Sequence, residues 1–131
     1  MPESPELEAR VAKIQKDVEQ LRELWKDDFH ERRDRYEERV RKVLEKCPNC
    51  VTLWLEIDSI HSLQEIENAL KQQGRRIPHP SLWRASQRLV KAGLIRKIST
   101  KRKSPVYTKK IWATELDIDD FVRKTFLEEE T

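Results

Sequence analysis

Apolar residues recur at alternating spacings of four and three through the first part of the chain, at Leu7, Val11, Ile14, Val18, Leu21 and Trp25. That period is the seam of a coiled coil. The helix carrying it starts at Ser4 and Pro5, a side-chain N-cap followed by the position where proline suits a helix. No Gly or Pro interrupts it from Glu6 to Lys46. The seam slips by one residue at Phe29 and resumes with Tyr36, Val40, Val43 and Cys47, a shift of phase. One continuous helix of about 41 residues, roughly 60 Å long, is expected. Glu6/Arg10, Asp28/Arg32, Glu31/Arg35, Glu37/Arg41 and Glu38/Lys42 are acid-before-base pairs that support its solvated side. The apolar stripe needs a cover, which is either a second copy of the chain or the chain's own C-terminal helix.

Pro48, in Cys47-Pro48-Asn49-Cys50, stops that helix. Val51 to Ile60 fits both helix and strand periods. Ser62 and Glu65 form a capping box ahead of a helix with Leu63, Ile66 and Leu70 on one face, and Gly74 is placed to end it. After a connector, Pro80 opens a second helix, predicted to Ala92, with Leu82, Ala85, Ser86 and Leu89 on its core face and Gly93 as its stop. Ile95 to Ser99 and Val106 to Ala113 read as strands around a basic tip. Asp117 is expected to cap a last amphipathic helix carrying Ile118, Phe121, Val122 and Phe126. The fold class is therefore mainly α with a small β-hairpin. Its organisation is a coiled-coil helix over 1–46, a compact domain over 47–114 and an amphipathic helix over 115–131.

Charge changes the picture. The chain carries 27 basic and 24 acidic side chains, a near balance. Yet residues 68–114 contain 13 Lys or Arg and no Asp or Glu. A folded stretch of one sign attracts a polyanion. With 37% hydrophobic and 39% charged residues, a small core is expected rather than one large one. No apolar run approaches the ~20 residues that cross a bilayer, and the N-terminal residues lack a signal peptide's basic start and apolar stretch. An intracellular protein with no membrane partner is expected. With 2 Gly, no phosphate loop is evident, and neither a catalytic constellation nor a small-molecule substrate is indicated.

The stretch Leu82-x-x-x-Ser86-x-x-Leu89-x-x-x-Gly93-Leu94-Ile95, followed by Arg96 and a basic hairpin, resembles the winged helix-turn-helix family, in particular ArsR-like and MarR-like prokaryotic and archaeal regulators. The similarity covers roughly 65 residues, with Lys91-Ala92-Gly93-Leu94-Ile95 its most specific part. The connector Gly74 to His79 departs from the family by its length and by Pro78. The resemblance implies that the second helix enters the major groove and that the wing touches the backbone. Carried over by position, Arg84, Gln87, Arg88 and Lys91 lie opposite the core face, with Arg84, Gln87 and Arg88 as base readers. Ser81 sits at the helix start as a phosphate or base donor, Lys101, Arg102 and Lys103 form a wing clamp, and Arg75 and Arg76 flank it. The implied protein is a homodimer on double-stranded DNA, a cytoplasmic or nucleoid-associated transcriptional regulator. A different reading is an adaptor whose winged helix docks an acidic partner; RNA binding and chromatin organisation are variants.

Cys47 and Cys50 supply two zinc ligands at most, so a metal site would need two copies of the chain, and no cofactor is otherwise expected. The pair also suits redox chemistry, or simply a helix stop. Trp25 and Phe29 read as packing residues, Trp54 and Trp112 as core, and Trp83 as the edge of the core face. His30, His61 and His79 show no partnered Ser, Cys or Asp in sequence.

Overall fold

The computed structural model describes residues 4–127; the outermost parts of the first and last predicted segments, 1–3 and 128–131, lie outside them. Seven α-helices and one two-stranded antiparallel sheet follow in order, α1 (Pro5–Glu31), α2 (Arg33–Glu45), α3 (Pro48–Glu56), α4 (Leu63–Gln72), α5 (His79–Lys91), β1 (Ile95–Lys101), β2 (Ser104–Lys109), α6 (Ile111–Glu115) and α7 (Ile118–Val122), with a π-turn over Arg123–Leu127. The mainly α class with a hairpin is as expected.

The single long helix is not formed. It breaks at Arg32, whose φ of −102° and ψ of 13° leave the helical region. The break falls just after the slip of the seam. Upstream of it the apolar residues form a stripe; downstream they serve the core. Tyr36 stacks on Trp112 at 4.6 Å, Phe29 meets Tyr36 edge-on, and Val40 and Leu44 are fully buried. Arg33 donates to the Leu116 carbonyl at 2.9 Å, fixing the turn against the end of α6. Of the acid-before-base pairs, Glu6/Arg10 and Asp28/Arg32 form as the i, i+4 spacing suggests. The break removes the Glu31/Arg35 spacing, and Arg41 is taken by Glu38 and Glu45 instead of Glu37.

The ambiguous stretch after Pro48 resolves as helix α3. Cys47 is its N-cap, the Cys50 N–H donating to the Cys47 sulfur at 3.2 Å, and Pro48 opens its first turn. Cys50, Val51, Leu53 and Trp54 are buried, a burial that a half-exposed strand would not give them. The capping box of α4 forms in both directions between Ser62 and Glu65. Gly74 and Gly93 end α4 and α5 with φ of +74° and +76°. The following N–H groups of Arg75 and Leu94 reach back to Leu70 and Leu89, closing Schellman turns.

Two expectations fail near the C-terminus. Ile111, Trp112 and Ala113 are helical, not strand, because pairing stops at Lys109 and the chain must turn to bury Trp112 and Ala113. Asp117 does not cap α7 through its side chain; its own backbone is left-handed, with φ of +48°. One apolar core gathers α2 to α7 and the hairpin base, from Val40 to Val122.

Candidate nucleic-acid interface

The second helix of the basic stretch, α5, is seated by Leu82, Ala85, Ser86 and Leu89, all buried. Its opposite side is therefore fixed toward solvent. Arg84, Gln87, Arg88 and Lys91 are all exposed there, and Ser81 is half-buried at the first turn. Six residues separate α4 from α5, the connector whose Arg75 and Arg76 are exposed.

Position and availability differ among these side chains. Among the described residues, Arg84, Lys91, Arg76, Arg102 and Lys103 make no ion pair or hydrogen bond. Arg88 donates weakly to the Lys46 carbonyl at 3.4 Å, at the end of α2. Arg75 reaches Thr52 at 3.4 Å. Gln87 donates to the Tyr107 hydroxyl at 3.3 Å, so its amide N–H₂ is partly occupied. Lys101 is held by Glu65 at 3.0 Å.

Sequence did not single out Tyr107, and it marked Glu65 only as a helix cap; both hold elements of the candidate interface in place. The buried Tyr107 hydroxyl donates to Ser86, whose own hydroxyl donates to the Trp83 carbonyl at 2.6 Å. This relay ties β2 to α5. Glu65 ties the wing tip to the start of α4, and Ser104 does so again by accepting the Gln64 N–H at 2.9 Å. Strand β1 adds Arg96 and Lys97, both exposed; β1 is exposed along its length after Ile95, so period-two alternation gave no signal for them. Lys109, by contrast, belongs to the interior, paired with Asp119 at 2.8 Å with its side chain 11% exposed.

The Glu65 carboxyl is held below the usual carboxylate range, first by the Ser62 N–H and then by the Lys101 ammonium. A lowered folded-state value means a contribution to stability that is present above the unfolded pKa of ~4.3 and is lost as pH falls through the folded value. Glu65→Gln keeps a capping acceptor but not the charge. It should melt below the parent near neutral pH, and the gap should close as pH drops below about 4. Thermal scans of both proteins across that range check this; a gap that persists in acid would mean the carboxylate charge is not its source.

The hairpin turn has two residues, Arg102 and Lys103, between the paired Lys101 and Ser104. Both have positive φ, +50° and +67°, as in a type I′ turn that favours Asn-Gly. Two long cations in this conformation cost stability, which points to a role for their charge. Replacing Arg102-Lys103 with Asn-Gly should raise stability by about 1 kcal/mol, read by urea unfolding, while removing two of the unpaired cations.

The remaining groups are local. The sulfurs of Cys47 and Cys50 lie within disulfide-bonding distance, and Cys50 is fully buried with its sulfur 3.7 Å from the Ala85 carbonyl. A four-cysteine site between two copies would have to pull Cys50 out from under α5. No cluster of three or more His, Cys, Asp or Glu suited to a metal occurs among the described residues. His61 lies against Asp58 within one turn, an Asp partner the sequence did not suggest, while His30 and His79 face Glu115 and Glu67 at 3.5 Å. Trp54 and Trp112 are core as expected, and Trp83 is 48% exposed. Among the described residues no helix is long and apolar enough to cross a membrane.

No protein-family model, curated protein or solved structure matches the chain.

Proposed function

We propose that this is a winged-helix protein that binds double-stranded DNA as a dimer, a transcriptional regulator of the cytoplasm or nucleoid. The order α3, α4, α5 followed by the hairpin β1–β2 supports this reading, in which α5 would be the recognition helix and the hairpin the wing. In this reading α5 enters the major groove, Arg84 and Arg88 reach base edges, and Gln87 contributes its amide oxygen. Arg102 and Lys103 grip phosphates from the wing, with Arg75, Arg76, Lys91, Lys101 and Ser81 around them. The observation that carries it is the set of exposed cations on α5 and the hairpin that have no partner among the described residues, in a stretch without a single acidic residue. A solvated surface ordinarily mixes both signs, as α1 does.

The test is fluorescence anisotropy of labelled duplex DNA across roughly 50 to 200 mM salt, with single-stranded DNA and duplex RNA alongside. About six phosphate contacts predict a loss of roughly a thousandfold in affinity over that range. No binding at the lowest salt sinks the reading and leaves an acidic protein as the partner; preference for RNA would reassign the polyanion. Equal binding to every duplex sequence would favour chromatin organisation over regulation.

A further inference from the structure

We infer that α1 pairs with α1 of a second copy in parallel and in register, as a two-stranded coiled coil, so that both basic heads emerge from the same end. This rests on the dimer of the proposed function but not on DNA binding. The sequence left two covers open for the apolar stripe, a second copy or the C-terminal helix. The second is already spent, because Ile118 and Val122 of α7 are fully buried in the core of the head. The stripe itself stays open. Leu7, Val11, Ile14, Val18, Leu21 and Trp25 are each between 46% and 61% exposed, and α1 has no buried residue.

The heptad positions then select the orientation. The four–three spacing puts Val11, Val18 and Trp25 at a, and Leu7, Ile14 and Leu21 at d. β-Branched Val11 and Val18 at a with Leu7 and Leu21 at d favour two strands over three or four, and the flanking charges then select the orientation. The next d position is Asp28, which is paired with Arg32 at 3.2 Å, so the seam ends where the helix breaks. The flanking g positions are Arg10, Asp17 and Leu24; the e positions are Glu8, Gln15, Arg22 and Phe29. In a parallel pair each g residue faces the e residue five further along on the other helix. Asp17 then meets the partner's Arg22, twice by symmetry; the last such pair involves Phe29, which already packs edge-on against Tyr36 of its own head. Arg10 meets the partner's Gln15 without repulsion. In an antiparallel pair g faces g and e faces e. Matching the six seam residues layer for layer puts Asp17 against itself and Arg10 against an apolar Leu24, with only Glu8 and Arg22 in favourable contact. In a parallel pair the two-fold axis runs along the coil, so both α5 helices lie at the same end of it.

Sedimentation equilibrium of the full chain separates the alternatives. Asp17→Arg and Arg22→Asp should each weaken dimerisation about tenfold, since each turns two attractive contacts into repulsive ones. The double variant restores the contacts with reversed sign and should return to within about twofold of the parent. In the antiparallel arrangement the double variant keeps a like-charge pair at position 17 and sets the new carboxylate at position 22 against Glu8; a double variant as weak as Arg22→Asp overturns the parallel pairing. Leu21→Asp breaks the seam in either orientation, and helicity of the head by circular dichroism checks that it still folds. A parent chain that stays monomeric at tens of micromolar overturns the dimer itself, whatever the DNA measurement shows.

Discussion

If the proposed function holds, replacing Arg84, Arg102 and Lys103 by alanine should lower duplex DNA affinity by about a thousandfold at moderate salt while the protein keeps its fold. These three side chains are exposed and unpaired among the described residues, so their removal breaks no contact there. Arg84 projects from the side of α5 opposite Leu82, Ala85, Ser86 and Leu89, and a good base contact there is worth about 1–3 kcal/mol. In the proposed complex Arg102 and Lys103 would contact phosphates, so their loss should lower the slope of log affinity against log salt by about 0.9 each, uniformly across sequences. Lys101→Ala should cost less than either, because Lys101 is already engaged by Glu65 at 3.0 Å. Arg88→Ala is a poorer probe, since Arg88 also supports the end of α2 through the Lys46 carbonyl. Anisotropy titrations at several salt concentrations, with a melting curve for each variant, read these outcomes. A triple variant that binds like the parent would remove α5 and the wing from the interface.

Asp119→Ala should destabilise the head by about 3 kcal/mol, lowering its melting temperature by roughly 10 °C. Asp119 accepts from the Trp54 indole N–H at 2.9 Å and from Lys109 at 2.8 Å through both carboxylate oxygens. The Lys109 ammonium also lies 5.1 Å from the centre of the Trp54 ring. Without the carboxylate, a mostly buried ammonium loses its counter-charge and an indole N–H loses its acceptor, and leaving such groups unpaired costs more than the pair contributes. The Asp119 side chain is itself 30% exposed, which keeps the figure at the low end for buried pairs. Replacing both partners, as in Lys109→Met with Asp119→Leu, should recover the part of the loss due to the unpaired ammonium, the Trp54 N–H still lacking its acceptor. Urea unfolding of the single and double variants checks this; a single variant within about 0.5 kcal/mol of the parent would show that water already screens the pair. Because Lys109 ends β2 and Asp119 lies in α7, the pair also anchors the base of the wing.

The capping box at Ser62 and Glu65, the two glycine stops and the core face of α5 could be read from local spacing, because each depends on groups within a turn or two of one another. The same holds for the solvent face of α5, which follows once Leu82, Ala85 and Leu89 are turned inward. The helix at Ile111–Glu115 was not legible. Its residues favour strands, but the burial of Trp112 against Tyr36, more than seventy positions away, outweighs that local preference. Which cations are available was equally hidden. Lys101 and Lys109 look like their neighbours in sequence, and only the approach of Glu65 and Asp119 separates them from Arg102 and Lys103.

By itself the sequence determined the helical class, the caps, the stripe along α1 and the acid-free stretch, all properties of composition and short-range periodicity. The tertiary structure decided that the long helix breaks at Arg32, that α7 is spent in the core and leaves the stripe uncovered, and that Tyr107 and Glu65 hold the hairpin against α5 and α4. Those outcomes turn on long-range burial and charge pairing, which outweigh local preferences worth only a few tenths of a kcal/mol per residue.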